Sequence, residues 1–281
     1  MNLATPPFTH GIRPPSTLPV FRKRALTEIS RTIDNSKHLW VKRPLGSENT
    51  MANYRQALSA EEKAFFDNLH EWTLGGTHNY GDNFSAIGEF SNQLMKSTFN
   101  NLYESVIRTL RQYLQTPYVF YRKDGFLPFF RLFNIQDFEN QTWNDLIQKI
   151  EAPPHFDNVW RSLNWPDGTR FDRTLSFTLP IELPANGHGL IIMNTYRDPL
   201  SGRLQKTDLK IEPDRIHLHK LGEDNENESY FLAYTPGEIV LHSGHEFHCI
   251  APFRSFTSSD RRYTLQGWAV WAPGSGWLVF G

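Results

Sequence analysis

The chain has 281 residues, with 29 lysines and arginines against 30 aspartates and glutamates, for a formal net charge of -1. That balance argues against nucleic acid or an anionic membrane as the main partner, and 39% hydrophobic residues with 14% aromatics exclude disorder for most of the chain. A single cysteine, Cys249, excludes a disulfide framework and any multi-cysteine metal site, whereas 11 histidines allow a metal held by imidazole and carboxylate.

The first twenty residues carry five prolines and no apolar run, so a signal peptide is not expected. No stretch nears the roughly 18 apolar residues of a membrane span. The expected compartment is the cytoplasm. Residues 1 to about 50 read as irregular, with Arg22-Lys23-Arg24 as a solvated turn. Ser59-Ala-Glu-Glu62 is a capping box opening a helix that runs to about His70. Gly75-Gly76 and Gly81 then break the chain. A second helix is expected from about Ser91 to Gln115. Its Leu94, Met95, Phe99, Leu102, Val106, Ile107, Leu110 and Leu114 form one apolar face, and Pro117 stops it.

From about residue 118 the texture changes. Short segments such as Thr174-Leu-Ser-Phe-Thr-Leu, Gly189-Leu-Ile-Ile-Met, Glu238-Ile-Val-Leu and Tyr263-Thr-Leu-Gln-Gly-Trp are rich in β-branched and aromatic residues and bounded by turn formers. A short helix near 142–150 interrupts them. Gly222 to Ser229 reads as an exposed acidic loop. The pattern predicts a mainly β fold of sandwich or barrel type. Residues 1–117 are expected as an N-terminal arm and helical buttress, packed on a core of residues 118–281 in one globular unit.

Chemistry concentrates in two places. In an extended strand, residues two apart face one side, so His155 and Asp157 offer an imidazole and a carboxylate to one point. A histidine from a distant strand would complete a 2-His-1-carboxylate face, which leaves positions open on a metal such as Fe(II). Leu241-His242-Ser243-Gly244-His245-Glu246-Phe247-His248 supplies candidates: His248 is preferred and His245 is the alternative. His188, His217 and His219 read as structural, and Cys249 should be buried on the face opposite His248. Arg262 and Thr264 share strand parity, so a guanidinium and a hydroxyl would together receive a carboxylate. Arg261 is the alternative arginine.

The set His155, Asp157, His248 and, 14 residues later, Arg262 resembles the Fe(II)/2-oxoglutarate-dependent dioxygenases, notably their prolyl-hydroxylase-like and phytanoyl-hydroxylase-like branches. Pro236-Gly237-Glu238 before the distal histidine, Pro252 after it and Gly189-Leu190 add to the likeness, which covers about residues 118 to 275. The resemblance implies a double-stranded β-helix, a cupin-like jelly-roll of two antiparallel sheets braced by α-helices. His155, Asp157 and His248 would hold Fe(II). Arg262 and Thr264 would bind the far carboxylate of 2-oxoglutarate. O2 would be the oxidant, and the cosubstrate would end as succinate and CO2. Related halogenases carry a small residue where Asp157 stands, so oxygenation, with hydroxylation as its default, is expected. Arg131, Asn158, Trp160, Arg161 and Tyr196 are the expected substrate-binding residues. A small molecule, either an amino acid or a natural-product intermediate, is the expected substrate. Alternatives are a peptide side-chain hydroxylase, a jelly-roll metal-binding protein without catalysis, and a cupin-like metal enzyme without 2-oxoglutarate.

Overall fold

The structure is a computed structural model that describes residues 16–44, 70–78, 81–134, 155–184, 189–198, 203–206, 216–220, 228–250 and 260–281. The helices expected at 59–70 and 142–150 and most of the acidic loop lie outside these residues, except that His70 opens a strand. Residues 16–44 are not irregular. They form strand β1 (Ser16–Pro19), helix α1 (Lys23–Asn35) and strand β2 (Val41–Pro44). The basic triplet therefore starts a helix instead of a turn. α1 buries Leu26, Ser30 and Ile33, at spacings of three and four, with Ile29 packed part-buried beside them, which is a short amphipathic stripe.

Strand β3 (His70–Leu74) precedes helix α2 (Phe84–Leu114), which begins a full turn and more before Ser91. The Asn83 side chain accepts the Ser85 N–H at 3.0 Å and caps it. α2 is kinked at Phe99. There the Ser97 and Thr98 hydroxyls both donate to the Leu94 carbonyl, at 2.8 and 2.9 Å, and so compete with the helix ladder. Gln115, in the left-handed region, closes the helix ahead of Pro117. Met95, Leu102, Val106, Leu110 and Leu114 are buried against the outer face of the larger sheet, each worth about 1.5–3 kcal/mol when fully removed from water.

The strands that follow are β4 (Val119–Tyr121), β5 (Phe129–Asn134), β6 (Arg170–Glu182), β7 (Gly189–Arg197), β8 (Leu204–Lys206), β9 (Ile216–Lys220), β10 (Glu228–Ala233), β11 (Glu238–His242), β12 (Glu246–Ile250), β13 (Arg261–Ala272) and β14 (Gly276–Phe280). Among the described residues they form two sheets. The larger has the order β1-β11-β6-β13-β5-β3-β2, extended by β14 and β4; the smaller has the order β12-β7-β10-β9, with β8 beside β7. Every pairing is antiparallel except β4 with β14. The chain alternates between the sheets: β6 lies in the larger, β7 and β10 in the smaller, β11 in the larger, β12 in the smaller and β13 in the larger.

Strand periodicity divides β13 into two faces. Tyr263 and Leu265 join the core under the helices, while Gln266 and Trp268 face the space between the sheets. On β6, Leu175 and Leu179 take the helix side, and Ser176 and Thr178 the inner side. Arg261, on the outer face, fastens α1 to the sheet. It pairs with Asp34 at 2.6 Å and Glu182 at 2.8 Å; the Tyr263 hydroxyl donates to Asp34 at 2.8 Å and Ser30 donates to Glu182.

Candidate metal centre

The site is built at the seam between the end of the segment entering at residue 155 and strand β12. His155 and His248 face each other in an antiparallel bridge, with N–H to O distances of 2.9 and 3.0 Å in both directions. The Asp157 N–H donates to the Gly244 carbonyl at 3.0 Å, which fixes the carboxylate two residues on, beside the turn into β12. Gly244 is required there: a Cβ would stand 2.4 Å from the Trp160 ring.

These contacts bring His155, Asp157 and His248 together, with one ligand atom from each within 4.8 Å of the others. Nε2 of His248 is 3.7 Å from Oδ2 of Asp157, and the two imidazole centroids are 4.6 Å apart. Nδ1 of His248 lies 2.8 Å from the Glu246 carbonyl. With the proton on Nδ1, that bond leaves Nε2 as the lone-pair nitrogen turned towards the carboxylate, the usual way a metal-ligating histidine is held. The Ser176 hydroxyl donates to Asp157 Oδ2 at 2.5 Å.

Electrostatics fit a ligand set. Burial pushes the Asp157 carboxyl up, but His248, His155, His242 and the Ser176 hydrogen bond together hold it below the usual carboxylate range. Burial, then His242, lowers His248 to about 4. At neutral pH the set is thus a carboxylate and a neutral imidazole with a free lone pair, both in the form a metal needs. Ligand atoms on one face of a metal with bonds near 2.1 Å stand on the order of 3 Å apart, against an observed spread of up to 4.8 Å. Mixed nitrogen and oxygen donors suit Fe(II) among other divalent metals.

The three residues stand at one end of a small cavity of about 60 Å³, also lined by Arg131, Ser176, Thr178, Tyr234, His242 and Gln266. His242 is buried, its ring centroid is 4.4 Å from that of His248, and burial lowers its pKa. His242, Ser176, Thr178, Tyr234 and Gln266 were not singled out by sequence. Alternation along β6, β11 and β13 puts all of these but Tyr234, which follows β10, on the inner face, and only the register shows which of them meet. Glu246, fully buried, accepts the Ser243 N–H at 2.9 Å, and burial raises its carboxyl to about 8.

The other sequence-selected residues lie as follows. His245 contacts the Phe171 carbonyl through Nε2 and sets its ring against Trp160, outside the cluster. Arg262 and Thr264 are 1% and 0% exposed, and the Thr264 hydroxyl has no hydrogen-bond partner among the described residues. Arg261 is taken up by Asp34 and Glu182 on the opposite face. Arg131 lines the cavity, and its Nη1 donates to Gln266 Oε1 at 3.3 Å. Asn158 and Arg161 are exposed beside a single 3-10 turn, Val159–Ser162. Trp160 is buried among Phe129, Trp268 and Phe280. Tyr196 lies on β7 opposite Glu246, and its side chain lies outside the described set. Cys249 is buried against Ile191, on the side away from the cluster.

No family model matches the sequence, and no curated protein is similar to it. Among solved structures, the chain is similar to an N-substituted L-amino acid dioxygenase from Burkholderia ambifaria, at 13% identity over 97% of this chain and 100% of that one, with a TM-score of 0.42. A second structure of that dioxygenase, in complex with alpha-ketoglutarate, gives 12% identity over the same shares with a TM-score of 0.42. The non-heme alpha-ketoglutarate-dependent epimerase SnoN from nogalamycin biosynthesis gives 14% identity over 91% and 92%, with a TM-score of 0.32. Likeness at this level is loose, and the functional reading rests on the site itself.

Proposed function

We propose that the chain is a non-haem Fe(II)/2-oxoglutarate-dependent oxygenase that oxidises, by hydroxylation as the default outcome, a C–H bond of a small metabolite such as an amino acid or natural-product intermediate. The observation that carries this reading is the convergence of His155, Asp157 and His248 on one point at the end of a cavity that also presents a guanidinium. Three ligands on one face leave the rest of a six-coordinate metal open for small molecules. The alternation of strands between the two sheets supports a double-stranded β-helix. The pairing of β1 with β11 and of β3 with β5 supports residues 1–117 and 118–281 as parts of one unit. Among the described residues no helix is long and apolar enough to cross a membrane.

His155, Asp157 and His248 would hold the iron. When bound, iron with O2 and 2-oxoglutarate would supply the oxidising chemistry, coupling decarboxylation of the cosubstrate to succinate with oxidation of the substrate. The chain's own residues do the rest. Ser176 orients Asp157. The Glu246 carbonyl fixes the tautomer of His248. Arg131 of β5 and Thr264 on the inner face of β13 offer positive charge and a hydroxyl to carboxylates. Asn158 and Arg161, exposed just after Asp157, are the side chains an arriving substrate would meet, while Trp160 backs Gly244 and His245.

The test is succinate release. Protein loaded anaerobically with Fe(II) and then given 2-oxoglutarate, O2 and a panel of amino acids and small metabolites should release succinate. Asp157→Ala and His155→Ala should abolish both stoichiometric metal binding and turnover. Full turnover by Asp157→Ala would remove the ligand assignment. Turnover with peptides alone would move the substrate class to protein side chains. Metal binding without any succinate would favour a binding protein.

A further inference from the structure

The space between the sheets is laddered. Trp268, Ser176 and His242 stand side by side across β13, β6 and β11. Ser176 touches Asp157, and His242 packs on His248, so this row marks the metal end. Gln266, Thr178 and Val240 form the next row inward. Thr264 lies one row further, opposite Arg131 of β5, and Arg262 lies beyond it, opposite Phe133.

At about 3.3 Å per strand residue, the Gln266 row is about 7 Å from the metal row, and Arg262 is about 20 Å from it. Extended, an arginine side chain covers about two strand residues in length. Arg131 starts at the Thr264 row, but its Nη1 meets Gln266, so its guanidinium leans back towards the metal. It lines the same cavity as His155, Asp157 and His248; among the described residues Arg262 is not part of that wall. Tyr234, which is in the wall, lies within the electrostatic reach of both Arg262 and Arg131.

A 2-oxo diacid chelating the metal through its oxo-acid end carries its far carboxylate two methylenes away. A metal–oxygen bond of about 2 Å, the carbon chain, and a charge-assisted hydrogen bond of about 2.8 Å place the receiving guanidinium roughly 8–9 Å from the metal. That distance falls near the Gln266 row. Even fully extended towards the metal, Arg262 would stop roughly 13 Å short of the metal row.

We propose that Arg131, oriented by Gln266, and not Arg262, receives the far carboxylate of the cosubstrate. This rests on the 2-oxo acid reading of the site given above.

The experiment compares wild type, Arg131→Gln, Arg131→Lys and Arg262→Gln, each loaded anaerobically with Fe(II) and checked for metal stoichiometry. Each is titrated with 2-oxoglutarate and with pyruvate, a 2-oxo acid lacking the far carboxylate. Binding is read from the charge-transfer absorption of the chelate and from calorimetry. Wild type should prefer 2-oxoglutarate. Arg131→Gln should weaken 2-oxoglutarate by roughly a hundredfold, the scale for truncating a buried charge pair, and leave pyruvate unchanged. Arg262→Gln should keep most of the preference. If Arg131→Gln does not fold, Arg131→Lys decides, with roughly a tenfold loss confined to 2-oxoglutarate, since a lysine restores charge without the fork. An undiminished preference in the Arg131 variants, or its loss in Arg262→Gln alone, overturns the assignment while the oxygenase reading stands. A wild type that binds neither acid overturns both.

Discussion

Removing one hydroxyl from β6 should loosen the metal without touching a ligand. Ser176 is 3% exposed and donates at 2.5 Å to an Asp157 carboxylate that is itself only 11% exposed. In Ser176→Ala, Oδ2 loses its one short side-chain donor. A hydrogen bond to a charged group contributes about 1.5–3 kcal/mol, and partners that orient metal ligands are worth about ten- to a hundredfold in metal affinity. The two scales agree, so metal dissociation constants should rise by about one to two orders of magnitude. Competition between the protein and a chromophoric chelator for Co(II) or Fe(II) measures this directly. The thermal stability of the metal-free protein should also fall, by about the same 1.5–3 kcal/mol at most, because the buried carboxylate loses its donor there too. Affinity equal to wild type would refute the view that Ser176 sets the orientation of Asp157, and would leave the carboxylate fixed by its backbone contact with Gly244 alone.

Two further outcomes follow from contacts outside the cavity. Arg261→Ala should lower the melting temperature by a few degrees, because it unpairs Asp34 and Glu182 together; the group is 34% exposed, so the loss should be nearer about 1 than 3 kcal/mol, and a change of zero by calorimetry would make the α1 fastening decorative. His78 is held neutral, chiefly by burial and then by Arg122, with its pKa lowered to about 4, while its Nε2 accepts the Phe126 N–H at 3.4 Å. The unfolded chain takes up this proton from about pH 6.5 downwards and the folded chain resists until about pH 4, so the stability it confers is intact above 6.5 and drains away as pH falls through that window. Denaturant melts of wild type and His78→Gln should therefore diverge in slope between pH 6.5 and 4 and run parallel above it; parallel curves throughout would show that His78 is not buried as described.

How far the sequence carries depends on the range of the interaction. His155 and Asp157 are two residues apart, so strand geometry alone put them on one side, and the structure sets His248 against them. Adjacent Arg261 and Arg262 had to face opposite ways; the structure turns Arg261 outwards to Asp34, 227 residues away, a partner that no local pattern names. Ser176 and His242 are ordinary strand residues until register places them in one row under the ligands. The apolar face of α2 was dense enough to read, although its first turn and its kink depend on Asn83, Ser97 and Thr98, hydroxyl and amide groups that periodicity ignores. α1 was missed although Leu26, Ile29 and Ile33 recur at helical spacing, because its stripe is short and follows directly on a proline-rich segment and a basic triplet. That stripe seats it on the core, and the Arg261 contacts to Asp34 and Glu182 fasten it there.

That outer fastening also acts as an alignment key for the inner site. A slip of β13 by one residue against its neighbours would exchange its two faces entirely. Arg261 would enter the cavity side, Arg262 would swing out to Asp34, and Thr264 would trade places with Tyr263. The charge is the same in either frame, so the arginines alone do not choose between them. Tyr263 does: its phenol meets Asp34 outside, while a threonine there would fall short and a tyrosine inside would fill the cavity. An insertion of one residue inside β13, between Tyr263 and Thr264, should thus be tolerated far less than one of two, because an even shift keeps the faces and an odd one turns the inner row outwards.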